Sequence, residues 1–195
     1  MNVSICMNGG YLVQDEQDLV HRAQNGDKEA FTELYETYFG KLYRYVVARI
    51  GNRAEAEDMT QQVFVKAYKS ISSYRWRGVP FSAWLFRIAH NLVVDFFRKE
   101  SKRPTVPLEE SLVASNDNVQ QVVERRLDIE RVMAATRQLT AAQREVVSLR
   151  FAGGLAIAEV ARVMGKSEGA VKALQHSAIA ALRRILLVGE NGVKG

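Results

Sequence analysis

The residues best suited to chemistry in this chain form a stripe of cations and an amide on an otherwise greasy helix. Within the run 81–98, FSAWLFRIAHNLVVDFFR, Arg87, Asn91, Asp95 and Arg98 fall on one side of a helix that advances about 100° per residue. Trp84, Phe86, Phe96, Phe97 and the aliphatic residues cover most of the remainder. Arginines and an amide at this spacing suit nucleic-acid contact, although a solvated face of a single helix carries the same residue types. The run that precedes it, Ser72-Ser73-Tyr74-Arg75-Trp76-Arg77-Gly78, mixes aromatic faces with cations. Such a loop can stack single-stranded bases while its charges attract the backbone.

A second constellation lies near the C-terminus. Residues 156–164 read as a short helix with Ile157, Val160, Ala161 and Met164 on one face, and Gly165 stops it because glycine enters the left-handed conformation at low steric cost. Ser167 then offers its hydroxyl to the exposed N–H groups of a new helix. Gly169, Ala170, Val171 and Lys172 open that helix, and Leu174, Ala178, Ala181, Leu182 and Ile185 form its inner edge. This is a helix-turn-helix pattern, in which the second helix enters the major groove and its first side chains meet base edges. Lys166, Ser167, Glu168, Lys172, Gln175 and His176 are the candidate DNA contacts, and the small Ala158 and Ala161 let the two helices approach closely.

Almost everything else that positions these residues reads as helix, so the expected fold class is all-α, two small helical domains. A short helix from Gln17 to Gln24 ends at Asn25-Gly26, and Asp27 caps a long one running from Lys28 to about Ile50. Phe31, Leu34, Tyr35, Tyr38, Leu42, Tyr45 and Val46 form its inner face. A third helix, from about Ala54 to Ser70, turns Met59, Val63, Phe64, Ala67 and Tyr68 inward and leaves Glu57, Asp58, Gln61 and Gln62 as exposed polar residues. Pro104 and Pro107 halt regular structure, and residues 104–122 are polar, acidic and turn-rich, as expected of a linker. The spacing predicts further helices from Val123 to about Gln138 and from Thr140 to Phe151, with Gly153-Gly154 as a turn. The expected organisation is a flexible lead 1–15, a first domain 16–103, a flexible acidic linker 104–122, a second domain 123–188 and a flexible tail 189–195.

Charge is distributed to match. The net charge is +5 over 195 residues, which suits an anionic partner without naming one. Residues 70–103 carry seven basic against two acidic side chains and residues 131–184 carry nine against three, whereas residues 104–130 carry two against six. Two basic modules are thus joined by an acidic segment. Cys6 is the lone cysteine, which excludes an intramolecular disulfide, and His21, His90 and His176 are too scattered to suggest a metal. No phosphate-cradling glycine loop, nucleophile elbow or histidine-carboxylate metal spacing is present, so neither an enzyme nor a cofactor is expected. No apolar run spans a bilayer and no secretory signal opens the chain, which makes the expected location cytoplasmic.

Three blocks in order give the chain a resemblance to the sigma-70 family of RNA polymerase sigma factors, in its compact extracytoplasmic-function (ECF) group. Ala56-Glu57-Asp58-Met59-Thr60-Gln61-Gln62-Val63-Phe64 resembles the helix with which that family binds core polymerase. Trp84-Leu85 through Ile88-Ala89, Asn91, Asp95 and Arg98 resemble its promoter −10 helix, and the stretch from Leu139 to Arg184, with Gly169-Ala170-Val171-Lys172, resembles its −35-binding domain. The resemblance covers roughly residues 17–185. It implies that Glu57, Asp58, Gln61 and Gln62 face the polymerase, with Asp58 and Gln61 on the clamp helices of the largest subunit. It further implies that Tyr74, Arg75, Trp76, Arg77, Trp84, Arg87, Asn91 and Arg98 engage the single-stranded −10 element, the loop capturing a flipped base. The acidic linker would thread the channel that later holds nascent RNA. Some members are held by an anti-sigma factor, which is a family expectation here as well. One departure stands out: many relatives carry an arginine in the recognition helix where this chain has Ser177, so duplex affinity is expected to be lower. The rival reading is a free-standing helix-turn-helix repressor or activator on duplex operator DNA. The block from Ala56 to Phe64 and the aromatic loop count against it, because such a protein needs neither surface.

Overall fold

The structure, a computed structural model, describes residues 9–76, 78–101 and 131–191. These fold as helices α1 (Gly9–Gln24), α2 (Lys28–Ile50), α3 (Arg53–Ser70), α4 (Phe81–Glu100), α5 (131–137), α6 (Ala141–Val147), α7 (Ile157–Met164) and α8 (Glu168–Asn191). No strand occurs among the described residues, as the all-α reading requires. The expected acidic linker, the start of the helix at Val123 and Arg77 lie outside the described residues.

Local chemistry explains most boundaries. The Asp27 carboxylate accepts from the N–H groups of Glu29 and Ala30 at 3.0 and 3.1 Å and so caps α2. Gly51, at φ 84°, ends α2, and the Asn52 side chain accepts from Glu55 N to open α3. Thr140 and Gln143 exchange the reciprocal bonds of a capping box at the head of α6. Two boundaries differ from the sequence reading. Helix α1 begins at Gly9 rather than Gln17, inside the stretch expected to be a flexible lead, and α8 continues to Asn191, into the expected tail. The helix expected from Thr140 to Phe151 is α-helical only to Val147 and closes as a π turn, Ser148–Ala152.

Packing joins what the sequence separates. Leu34, Leu42, Tyr45 and Val46 of α2, Val63 of α3, and Leu85, Phe86 and Val93 of α4 form the centre of the first unit. Val146, Leu149, Leu155, Val160, Val163 and Val171 of the second unit belong to the same continuous core. The two units approach closely at Gly153, where an added Cβ would lie 2.7 Å from the Phe86 ring. Across it, Ser82 of α4 donates to Glu159 of α7, whose other carboxylate oxygen accepts from Ala156 N at 2.7 Å.

Candidate nucleic-acid interface

The turn between α7 and α8 forms at the residues the sequence predicts. Gly165 takes φ 63° and ψ 37°, and its N–H returns to Ala161 and Arg162 at the end of α7. The Ser167 hydroxyl accepts from Ala170 N at 3.2 Å, while Val171 and Ala178 anchor the inner face of α8 in the core. Lys166, Ser167, Glu168, Lys172 and His176 are exposed around the helix's positive end, which favours phosphate. Gln175 is half-buried, and its Oε1 accepts from Arg150 Nε at 3.1 Å, so it is already engaged. Ser177 ties α8 to α6, since it donates to Leu174 O at 3.0 Å and accepts from Gln143 at 3.1 Å.

The aromatic loop is only partly open. Tyr74 is 4% exposed, its hydroxyl donates to Val79 O at 2.6 Å, and its ring packs on Trp76, Phe81 and Trp84. Burial, with the Glu16 charge second, pushes its phenol above the ordinary value. In this arrangement the Tyr74 ring is a wall of the core. Trp76 and Trp84 are half-buried, and exposed Arg75 donates to the carbonyls of Ser72 and Tyr74, which stiffens the loop. On α4, Arg87, Asn91 and Arg98 are exposed, and Arg98 pairs with Asp95 at 3.0 Å. Arg87 is not free, because its Nη1 donates to the carbonyls of Arg162 and Val163 at 2.9 and 2.8 Å, at the negative end of α7.

On α3, Glu57, Asp58, Gln61 and Gln62 are all exposed. Asp58 and Gln62 line a groove of about 440 Å³ between α3 and α4 with Met59, Leu92 and Phe96. Val65 and Tyr68 are about half exposed and continue the face of Gln61 at i+4 and i+7, beside Phe31 and Tyr35. Sequence reasoning placed Tyr68 inside and passed over Val65; its helical register with Gln61 was the available signal.

Comparison with known proteins decides the family. The chain matches Sigma-70 region 2 over residues 34–103 and Sigma-70 region 4 over residues 136–184. It is 31% identical over 190 residues to the ECF RNA polymerase sigma factor SigM of Mycobacterium tuberculosis, covering 95% of this chain and 91% of the relative. The chain belongs to the ECF RNA polymerase sigma factors. It is 42% identical over 171 residues, or 87% of its length, to the ECF sigma factor BldN of Streptomyces coelicolor, of which it spans 65%. The solved structure of CnrH in complex with the cytosolic domain of CnrY superposes with a TM-score of 0.70 at 26% identity, covering 89% of this chain and 98% of that one.

With the regions assigned, the seam in this sigma factor lies between region 2 and region 4, and its centre is an acid that the sequence reading overlooked. Glu145, 3% exposed on α6, accepts from the Tyr45 hydroxyl at 2.7 Å and lies 2.9 Å from both Arg49 Nε and His90 Nδ1. Burial works against its ionisation, but the His90 hydrogen bond, the Arg49 charge and the Tyr45 hydroxyl together hold it below the ordinary carboxylate value. Its register, three residues before Ser148 and four before Leu149, placed it on the inner face of α6, and that was the signal to read. Arg44 adds a bond to Ala152 O at 3.3 Å. Helix α4 is thus joined to α6 through His90 and to α7 through Arg87.

Proposed function

We propose that this sigma factor binds core RNA polymerase through the α3 face around Asp58 and Gln61 and directs it to promoters. In this reading Glu57 and Gln62 flank the contact, and Val65 and Tyr68 extend it with apolar surface. Helix α8 enters the major groove of the −35 element with Lys166, Ser167, Glu168, Lys172 and His176 leading, and Gln175 joins them on releasing Arg150. Arg75, Arg77, Trp76, Trp84, Arg87, Asn91 and Arg98 engage the melted −10 strand by stacking and charge. Residues 16–103 and 123–188 form the two working units, the chain acts in the cytoplasm beside the polymerase, and all covalent chemistry belongs to that enzyme. Like CnrH, which is seen with the cytosolic domain of CnrY, the chain would be held by a protein of the anti-sigma kind.

The observation that carries this reading is that a polar, exposed α3 face and an open, capped recognition helix occur in one chain. The Arg87 bonds to α7 add a requirement: the closed arrangement must open before Arg87 can meet a promoter strand. Size-exclusion chromatography with sigma-free core polymerase tests the proposal. A stoichiometric complex that Asp58→Lys abolishes, with the helical content of the variant unchanged, is the expected result. No complex, together with tight binding of a palindromic duplex by the chain alone, would replace this reading with that of a free-standing repressor.

A further inference from the structure

The exposed face of α8 carries one group whose charge depends on pH. From Lys172 to Arg183 its exposed residues are Lys172, Ala173, His176, Ser177, Ala180 and Arg183. His176 alone among them is of a type whose charge ordinarily changes between about pH 5 and 8. Among the described residues no side chain bonds its imidazole. The charged groups on the elements packed against α8 are mostly engaged elsewhere. On α6, Arg144 donates to the carbonyls of Thr136, Arg137 and Leu139, and Glu145 is held by Tyr45, Arg49 and His90. On the π turn, Arg150 is spent on Gln175 and the Leu155 carbonyl. On α7, Glu159 accepts from Ser82 and Ala156 N, and Arg162 is exposed. Along α8 itself Lys172 lies one turn before His176 and Arg183 and Arg184 two turns after, whereas Glu168, the carboxylate closest in sequence, is two turns before. Nothing on these elements is placed to hold an imidazolium, and the cations nearest along the helix disfavour one until an anion arrives.

Depth sets what His176 can meet on DNA. When the helix enters the groove by its first turn, His176 stands about 12 Å behind Glu168 at about 1.5 Å per residue. The major groove is about 8.5 Å deep, so the leading residues reach base edges while His176 stays at the level of the backbone. We infer that His176 is a proton-linked phosphate contact, whose imidazolium form grips the −35 backbone and whose neutral form does not. This rests on the reading of α8 as the −35 helix and adds to it a dependence on pH. Phosphates favour the charged imidazole, so the bound chain holds the proton more tightly than the free one. The added affinity is therefore present at low pH and is lost as pH rises through the value of the bound imidazole. A contact that raises an imidazole by about one unit strengthens binding roughly fivefold between pH 8 and pH 6. One further neutralised phosphate steepens the logarithmic salt dependence by up to about 0.9, of which about 0.6 falls between these two pH values.

Holoenzyme reconstituted from the full chain and sigma-free core polymerase first selects a −35 duplex from a randomised pool at neutral pH. Its affinity for that duplex is then read by fluorescence anisotropy at pH 6 and pH 8 over a series of potassium chloride concentrations. The parent should bind roughly fivefold tighter at pH 6, with a salt slope steeper by about 0.6. His176→Gln should bind equally at both pH values with the shallow slope, and His176→Lys equally at both with the steep one. His90→Gln, which alters the other histidine of the seam, should keep the dependence of the parent. Binding of the selected duplex that is indifferent to pH, a dependence that survives in His176→Gln or disappears in His90→Gln, or an unchanged salt slope would each overturn the contact and leave the −35 reading standing. Failure of a stoichiometric holoenzyme to select any duplex would overturn the −35 reading and the contact together.

Discussion

Replacing Glu145 with glutamine should open the molecule without unfolding either half. Every side-chain bond of Glu145 runs from α6 to another region: to Tyr45 and Arg49 on α2 and to His90 on α4. Removing one partner of a buried ion pair costs about 3–5 kcal/mol, because the remaining charge is left without compensation. Glutamine keeps an acceptor for Tyr45, so the lower bound of about 3 kcal/mol applies. At 1.4 kcal/mol per tenfold, the open population should rise roughly a hundredfold. Spin labels at Thr32 and Arg183, exposed residues of α2 and α8, with Cys6 replaced by serine, would report a single distance population in the parent and an added longer one in the variant. Tyr45→Phe should cost about 1.5–3 kcal/mol alone, as the loss of a hydrogen bond to a charged group, and about 1 kcal/mol less in the Glu145→Gln background. Acid should mimic the variant. Glu145 sits below its ordinary value of 4.5 in the folded chain, so its contribution is present above that pH and is lost as pH falls through the lower folded value. Strict additivity of the two substitutions, or an unchanged distance distribution in Glu145→Gln, would refute the clamp.

Other substitutions probe the same seam and the promoter surface. Gly153→Ala brings a methyl to 2.7 Å from the Phe86 ring and 2.9 Å from Leu149 O, and should cost about 1–3 kcal/mol by overpacking, read by urea denaturation. Glu16 is raised above its ordinary value, chiefly by burial, so it favours the fold when protonated and this advantage is lost as pH rises through the raised value. Glu16→Gln should therefore raise the thermal midpoint at pH 7 and change it little at pH 4, as differential scanning fluorimetry would report. Trp76→Ala should slow promoter melting while leaving closed-complex formation nearly intact, measured by permanganate footprinting; equal loss in both would assign the half-buried ring to packing.

Much of this fold was legible from helix punctuation. Asp27, Gly51, Thr140, Gly165 and Ser167 act in the structure as their residue types predict, because a cap or a stop depends on a few neighbouring backbone groups. The exposed faces of α3 and α8 were legible for a similar reason: their polar residues recur at helical spacing. What periodicity could not supply was contact between residues a hundred positions apart. Tyr74 and Trp76 carry the same residue chemistry in sequence, and only the position of Phe81 and Trp84 buries the first more deeply than the second. Glu145 drew no notice in the sequence because its three partners lie on α2 and α4. The π turn at Ser148–Ala152 escaped notice as well, since no breaker residue lies within it; its close is seen only in the backbone bonds from Gly153 N to Ser148 O and from Leu155 N to Leu149 O.

The seam also links the two surfaces proposed to read the promoter. Helix α7 ends at Gly165, whose left-handed turn sets the direction of α8, and the last carbonyls of the same helix hold Arg87. Helix α8 can therefore present its leading residues while region 2 and region 4 stay closed, whereas α4 cannot release Arg87 without leaving α7. On the proposed function, duplex contact is compatible with the closed form and strand capture requires opening. The clamp is of a size that a partner can overcome, since nanomolar binding corresponds to about −12 kcal/mol against a cost of a few for Glu145 and its neighbours. A partner that engages α3 and draws region 4 away by even part of that energy shifts the population toward the open form. If α3 meets the polymerase and α4 the −10 strand, as proposed, the two events are coupled through Glu145 and Arg87, although neither residue lies on the α3 face.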